Sequence, residues 1–190
     1  MNLPDRLPTQ TRVGIAIEIP APFDAELQAA RARFGDVLAD AIPPHITLLG
    51  PTVLDADELA VARTHLAAVA RGGEPFQVHL KGSASFRPIS PVVFVQVLEG
   101  FEECERLESR VRSGPLFQRL RFSYHPHVTV AHEVDDAALD RALVEMADYE
   151  AAFDVSGIHL YEHGDDGVWR PQQHFALGGR AADAGGSAPS

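Results

Sequence analysis

Two tetrapeptides of this chain share one pattern, Pro44-His45-Ile46-Thr47 and Pro126-His127-Val128-Thr129. In an extended strand side chains alternate, so His45 and Thr47 share one face while Ile46 and Leu48 point into a core. The same holds for His127 and Thr129 against Val128 and Val130. Each copy presents an imidazole beside a hydroxyl. Imidazole titrates near ~6.5, so at neutral pH one ring can be neutral and another protonated. If the two strands face each other across a groove, one histidine can take a proton from water. The other can give a proton to a leaving oxygen, a pairing that suits in-line displacement at a phosphodiester. The threonine hydroxyls can donate to non-bridging phosphoryl oxygens as charge builds there. Nothing in this scheme requires a metal or a nucleotide cofactor.

A plainer reading takes the motifs as strand starts, since proline is tolerated at the first residue of a strand and β-branched residues favour strands. That reading explains the prolines, Ile46, Val128 and the threonines. It leaves a histidine at both equivalent positions unexplained.

The elements that position these residues also repeat. "VGIAIEIP" reads as a strand with Val13, Ile15, Ile17 and Ile19 on one face. Asp24 can cap a helix with the stripe Leu27, Ala30, Phe34 and Leu38. The strand "PHITLLG" follows. Asp55 and Glu58 then form a capping box for a helix carrying Leu59, Ala62, Leu66 and Val69, and "FQVHL" is a strand. The order starts again with the strand "PVVFVQVLEG" and a helix carrying Cys104, Leu107 and Val111. Next come the strand "PHVTVAH", a helix with Leu139, Leu143 and Met146, and "FDVSGIHLYEH", read as one strand. "VWRPQQHFAL" closes a sheet. Strand–helix–motif strand–helix–strand is thus written twice, the mark of internal duplication.

Composition limits the setting. At 190 residues, 45% apolar and 23% charged, the chain is expected to form one domain over residues 1–178. Residues 179–190, rich in Gly, Ala and Ser, are expected to be a disordered tail. No apolar run approaches the roughly 18 residues a membrane span needs, and the N-terminus lacks a secretory pattern. A single cysteine suits a reducing cytoplasm. The net charge of −11 disfavours binding to extended nucleic acid but not a small anion gripped locally.

At the two His-x-Thr motifs the sequence resembles the 2H phosphoesterase superfamily, and within it the 2′-5′ RNA ligase/RNA 2′,3′-cyclic phosphodiesterase family. "FSYHPHVTVAH" and "PPHITLLG" resemble its two motifs; "SASFRPISPVVFVQV" and "IHLYEH" resemble flanking segments. The resemblance implies an α+β fold of two pseudo-symmetric lobes, each an antiparallel sheet backed by helices, around a central groove. It implies His45 and His127 as the acid–base pair and Thr47 and Thr129 as phosphate-binding hydroxyls; His127 is taken here as base and His45 as acid, an order the sequence leaves open. The implied reaction opens 2′,3′-cyclic phosphates to 2′-phosphates without cofactor or metal, with 2′-5′ RNA ligation as its reverse. The expected substrate is an RNA end or small nucleotide; an ADP-ribose cyclic phosphate also stays open. A monomer is expected.

Two positions depart from the family pattern. His132 stands where arginine is frequent, and strict alternation puts it on the core side unless the strand ends at Ala131. His163 stands where serine is usual. Tyr124 and Phe86 are candidates to stack on a base, and His132 to touch substrate. Arg87, Arg119 and Arg121 are weaker candidates for phosphate, and His159 and Tyr161 for the groove wall. Two rival classes remain: a non-catalytic module that binds nucleotide or RNA ends, and a cupin-like metalloenzyme using His125, His127, His132 and Glu133. The second leaves His45 without a role.

Overall fold

The computed structural model describes residues 3–178; the expected C-terminal tail lies outside them. The chain runs β1 (Thr11–Glu18), α1 (Phe23–Arg33), β2 (His45–Leu54), α2 (Ala56–Arg71), β3 (Phe76–Ser85), β4 (Val92–Glu99) and α3 (Phe101–Val111). A short 3₁₀ turn follows, then β5 (His127–His132), α4 (Asp136–Glu145), β6 (Glu150–Val155), β7 (Gly157–His163) and β8 (Trp169–Ala176). The strands form two four-stranded sheets, ordered β2-β1-β7-β8 and β5-β4-β3-β6. All pairings are antiparallel. Among the described residues four α-helices complete the two-lobed α+β architecture.

The duplicated unit is β1-α1-β2 and β4-α3-β5, in which each motif strand pairs with the strand before it and forms the edge of its sheet. The repeat does not extend unchanged to its last strand. "FDVSGIHLYEH" is two strands, β6 and β7, which break at Ser156 and enter different sheets. The buried apolar positions change phase across the break, from Phe153 and Val155 to Ile158 and Leu160 with exposed Ser156 between them, but alternation does not say that the two halves join different sheets. The structural sign is Gly157: a Cβ there would sit 2.0 Å from His174 Nε2 and 2.8 Å from the Phe175 carbonyl. β7 therefore takes in the first sheet the place that β3 takes in the second.

Apolar alternation sets the buried faces. Val13, Ile15 and Ile17 from β1, Ile46 and Leu48 from β2, Val93 and Val95 from β4, and Val128 and Val130 from β5 are all buried. They join the helix stripes Leu27, Ala30 and Phe34; Ala62, Leu66 and Val69; Cys104, Leu107 and Val111; and Leu139, Ala142 and Met146 in one contiguous core. α4 lies on β3, β4 and β5, and α2 lies on β2 and β8. α1 and α3 reach across: α1 packs on β5 and α3 on β2, each against the other lobe's motif strand. Asp24 does not cap α1. Pro22 occupies that position, and Asp24 lies in the first turn, where its carboxylate still favours the positive end of the helix.

Both motif strands carry a bulge immediately after the threonine. In β2, Thr47 faces Ala16 and Leu49 faces Ile15, leaving Leu48 without an opposite residue. In β5, Thr129 faces Phe94 and Ala131 faces Val93, leaving Val130 in the same position. A bulge places two consecutive side chains on one side and reverses the alternation that follows. Leu48 and Leu49, and Val130 and Ala131, are accordingly all buried. This corrects the expectation for His132: β5 continues through it, and the bulge turns it away from the core.

The capping box is present, with Glu58 N–H donating to Asp55 Oδ1 at 2.8 Å and Asp55 N–H to Glu58 Oε2 at 2.9 Å. Asp55→Ala should lower stability by about 1 kcal/mol in urea unfolding while leaving activity unchanged.

Candidate active site

Each motif histidine is oriented by its own preceding residues. His45 Nδ1 lies 2.7 Å from the Pro43 carbonyl, and His127 Nδ1 lies 2.7 Å from the His125 carbonyl. A carbonyl only accepts, so Nδ1 carries the hydrogen in both rings and Nε2 is the basic nitrogen. The intervening prolines, Pro44 and Pro126, fix φ and aim the carbonyl two residues back at the ring. The motif proline thus orients the imidazole as well as starting the strand. His45 Nε2 lies 3.0 Å from Thr47 Oγ1, joining imidazole and hydroxyl into one unit. Thr129 follows His127 on the same face of β5, partly exposed.

The edge strands β2 and β5 lie against one another, which brings the two motifs together. Tyr124, just before β5, crosses between lobes and donates its hydroxyl to the Thr47 carbonyl at 2.9 Å. Phe86 lies edge-on to His127, with ring centroids 4.9 Å apart, and Phe94 flanks the same ring at 5.1 Å. Phe86 and Phe94 pack together at 4.2 Å. His125 completes the aromatic box against Phe86, Phe94 and Phe101.

Two cavities flank Thr47 and Gly50. One of about 520 Å³ is walled by Phe86, Arg121, Tyr124, His125 and His127. The other, about 80 Å³, opens beside His45 between Gly14, Ile42, Tyr161 and Trp169.

Burial governs the electrostatics. The His45 proton affinity is lowered first by poor solvation of the charged ring and further by the Arg31 guanidinium; the Pro43 carbonyl opposes both. Burial lowers His127 to about 4, with the His125 carbonyl opposing and the charges of His125 and His45 adding to the fall. His127 therefore senses His45, and burial keeps both rings neutral at pH 7. An anion between them would favour protonation of one.

The remaining sequence candidates separate clearly. Phe86 and Tyr124 line the larger cavity, but Phe86 already packs on Phe94 and Tyr124 is tied to β2. His132 lines neither cavity; it lies 3.8 Å from Glu133 and senses Asp36 and Arg31. Arg87 is committed to Asp140 at 2.7 Å, while Arg121 lies over the Phe122 ring and lines the larger cavity. His159 contacts Glu18 at 3.3 Å, and buried His163 accepts from Arg12 Nη1 at 3.0 Å. Sequence reading considered His125 only as a metal ligand and missed its place against Phe86, Phe94 and Phe101, with its carbonyl on the His127 ring. It also missed the Trp169 wall and the buried Arg31, which carried no sequence signal.

Among the described residues no group of three or more His, Cys, Asp and Glu side chains is arranged to hold a metal. No described helix is long and apolar enough to cross a membrane.

Two edge-strand histidines in a bilobal fold define a protein class, and comparison with known proteins agrees with it. Residues 19–167 match the family model described as the 2'-5' RNA ligase superfamily. The chain belongs to that superfamily, the 2H phosphoesterases. A provisionally named phosphoesterase of Bacillus licheniformis is 30% identical over 139 residues, covering 72% of this chain and 82% of its own. Another, from Bacillus cytotoxicus, is 27% identical over 169 residues, covering 88% and 97%. E. coli LigT complexed with 3′-AMP shares the fold, with a TM-score of 0.72 at 20% identity over 88% of this chain and 98% of that one. Its complex with NADP+ gives 0.69, also at 20% identity, over 90% and 99%.

Folded His127 binds its proton only near pH 4, whereas an unfolded histidine binds one near ~6.5. Its contribution to stability is complete above about pH 6.5 and is lost as pH falls toward about 4, because the unfolded chain takes up the proton first. Urea midpoints should therefore drop more steeply on acidification for the native protein than for His127→Gln; parallel curves would contradict the assignment.

Proposed function

We propose that this protein is a phosphodiesterase that opens 2′,3′-cyclic phosphates to 2′-phosphates by two-histidine acid–base catalysis, without a metal. The observation that carries this reading is the matched pair of imidazoles. Each is held through Nδ1 by the carbonyl two residues back, each offers Nε2, and each stands on an edge strand against the other. Relatives named as phosphoesterases, and LigT structures holding 3′-AMP or NADP+, support a nucleotide-sized phosphoester as substrate.

In the forward reaction His127 Nε2 takes a proton from water as the oxygen attacks phosphorus. The bond from phosphorus to O3′ breaks, and protonated His45 delivers its proton to O3′, leaving a 2′-phosphate and a 3′-hydroxyl. Thr47 and Thr129 donate to the non-bridging oxygens as negative charge grows. Proton exchange with solvent then restores both rings. Run in the same direction with an RNA 5′-hydroxyl in place of water, the same groups would form a 2′-5′ linkage as the bond from phosphorus to O3′ breaks.

The substrate is small or presents only its end. The chain carries a net charge of −11, and Arg112 beside the groove is committed to Glu108. Extended nucleic acid needs a track of uncommitted cations. A cytoplasmic monomer suits this role.

Hydrolysis of the four 2′,3′-cyclic mononucleotides and a short cyclic-phosphate RNA, in EDTA, tests the reading. Turnover to 2′-phosphate is expected, and His45→Ala or His127→Ala should each lower it by about 10²–10⁴-fold. Binding of nucleotide without turnover would instead favour the non-catalytic module, and activity restored only by added metal would overturn the mechanism.

The pH dependence gives a second check. With both rings lowered by burial, kcat/KM should be bell-shaped with its alkaline limb below about pH 6.5. Bound anionic substrate should move that limb upward in kcat. A single-limbed profile would contradict the acid–base pair.

A further inference from the structure

We infer that Arg31, locked to Asp36 beneath the first motif, is the positioning residue that holds His45 in its reactive orientation; the inference rests on the acid–base role proposed above. Arg31 and Asp36 are 3% and 4% exposed. Arg31 Nε and Nη2 donate to Asp36 Oδ2 at 3.1 and 2.9 Å, and Nη1 donates to the Ile42 carbonyl at 2.8 Å. Asp36 Oδ1 accepts from Leu38 N–H at 2.9 Å, and its own N–H donates to the Arg31 carbonyl at 3.1 Å. The cluster is fully paired and ties the end of α1 to the segment entering β2.

That segment reads Ile42-Pro43-Pro44-His45. The two prolines have no N–H, so the turn is held here through carbonyl oxygens. The Pro43 carbonyl holds the His45 ring, and the Ile42 carbonyl one residue earlier is held by Arg31. A shift of Ile42 therefore carries the Pro43 carbonyl with it, and the imidazole turns with that carbonyl. The guanidinium also lies close enough for its charge to act on both His45 and His132.

Stability alone does not account for the pair. A buried ion pair loses about as much in desolvation as it gains, and apolar residues of similar volume often serve folding equally well. What apolar residues would not supply is a donor fixed on the Ile42 carbonyl. The duplicated unit carries a counterpart: Arg112, at the end of α3, bonds the buried Glu108 and donates to the Gln118 carbonyl at 3.1 Å, in the segment leading to His127.

The test is the double variant Arg31→Met/Asp36→Asn, which removes the tether without leaving a lone buried charge. Imidazole ¹⁵N spectra should show His45 changing from one Nδ1–H tautomer to a mixture, while the His127 signals stay as in the native protein. With 2′,3′-cyclic AMP, kcat should fall by about 10- to 100-fold at nearly unchanged KM. Arg31→Lys keeps the charge but cannot fork to both partners, so it should show the same split to a smaller degree; it also serves if the double variant does not fold. Native His45 spectra and native kcat in whichever variant folds would overturn the inference. The spectra need no turnover, so they decide the positioning role even if no cyclic phosphate is hydrolysed.

Discussion

The hydrogen bond from Nδ1 of each motif histidine to the carbonyl two residues earlier organises the rest of the site. It is short, local and encoded in a tripeptide, because the proline between carbonyl and ring removes the backbone freedom that would let them separate. It fixes which nitrogen is basic. It does not bring the two rings together. That requires the strands to be edges of different sheets and the edges to meet.

Edges that meet are unusual because an exposed strand edge invites unwanted pairing. Here the edges close against each other, assisted by the Tyr124 bond to the Thr47 carbonyl. The helices reinforce the arrangement by crossing over, α1 onto β5 and α3 onto β2. Each lobe therefore supports the other's histidine. The late return of β7 and β8 to the first sheet, after β3 has joined the second, interlocks the lobes through one continuous core.

The same enclosure has an electrostatic consequence. Both rings are buried and poorly solvated when charged, His127 against Phe86 and Phe94, so both are held neutral at pH 7. The bulges after Thr47 and Thr129 double the apolar residues that seal the core, and the first returns β2 to the cavity wall at Gly50.

The sequence by itself determined the paired His-x-Thr motifs and most of the elements. His45, Thr47, His127 and Thr129 were legible because a period-two pattern and a repeated phrase are local properties of the chain. The capping box and the helix stripes were legible for the same reason. Only the tertiary structure decided the division of "FDVSGIHLYEH" between two sheets, the reversal at His132, the commitment of Tyr124 to β2 and the brace formed by Arg31. Each depends on a partner far away in sequence: a neighbouring strand that sets register, an opposite lobe that supplies an acceptor, or a buried carbonyl that needs a donor. Alternation records which side of a strand is apolar, but not which sheet the strand joins or which distant group meets its edge.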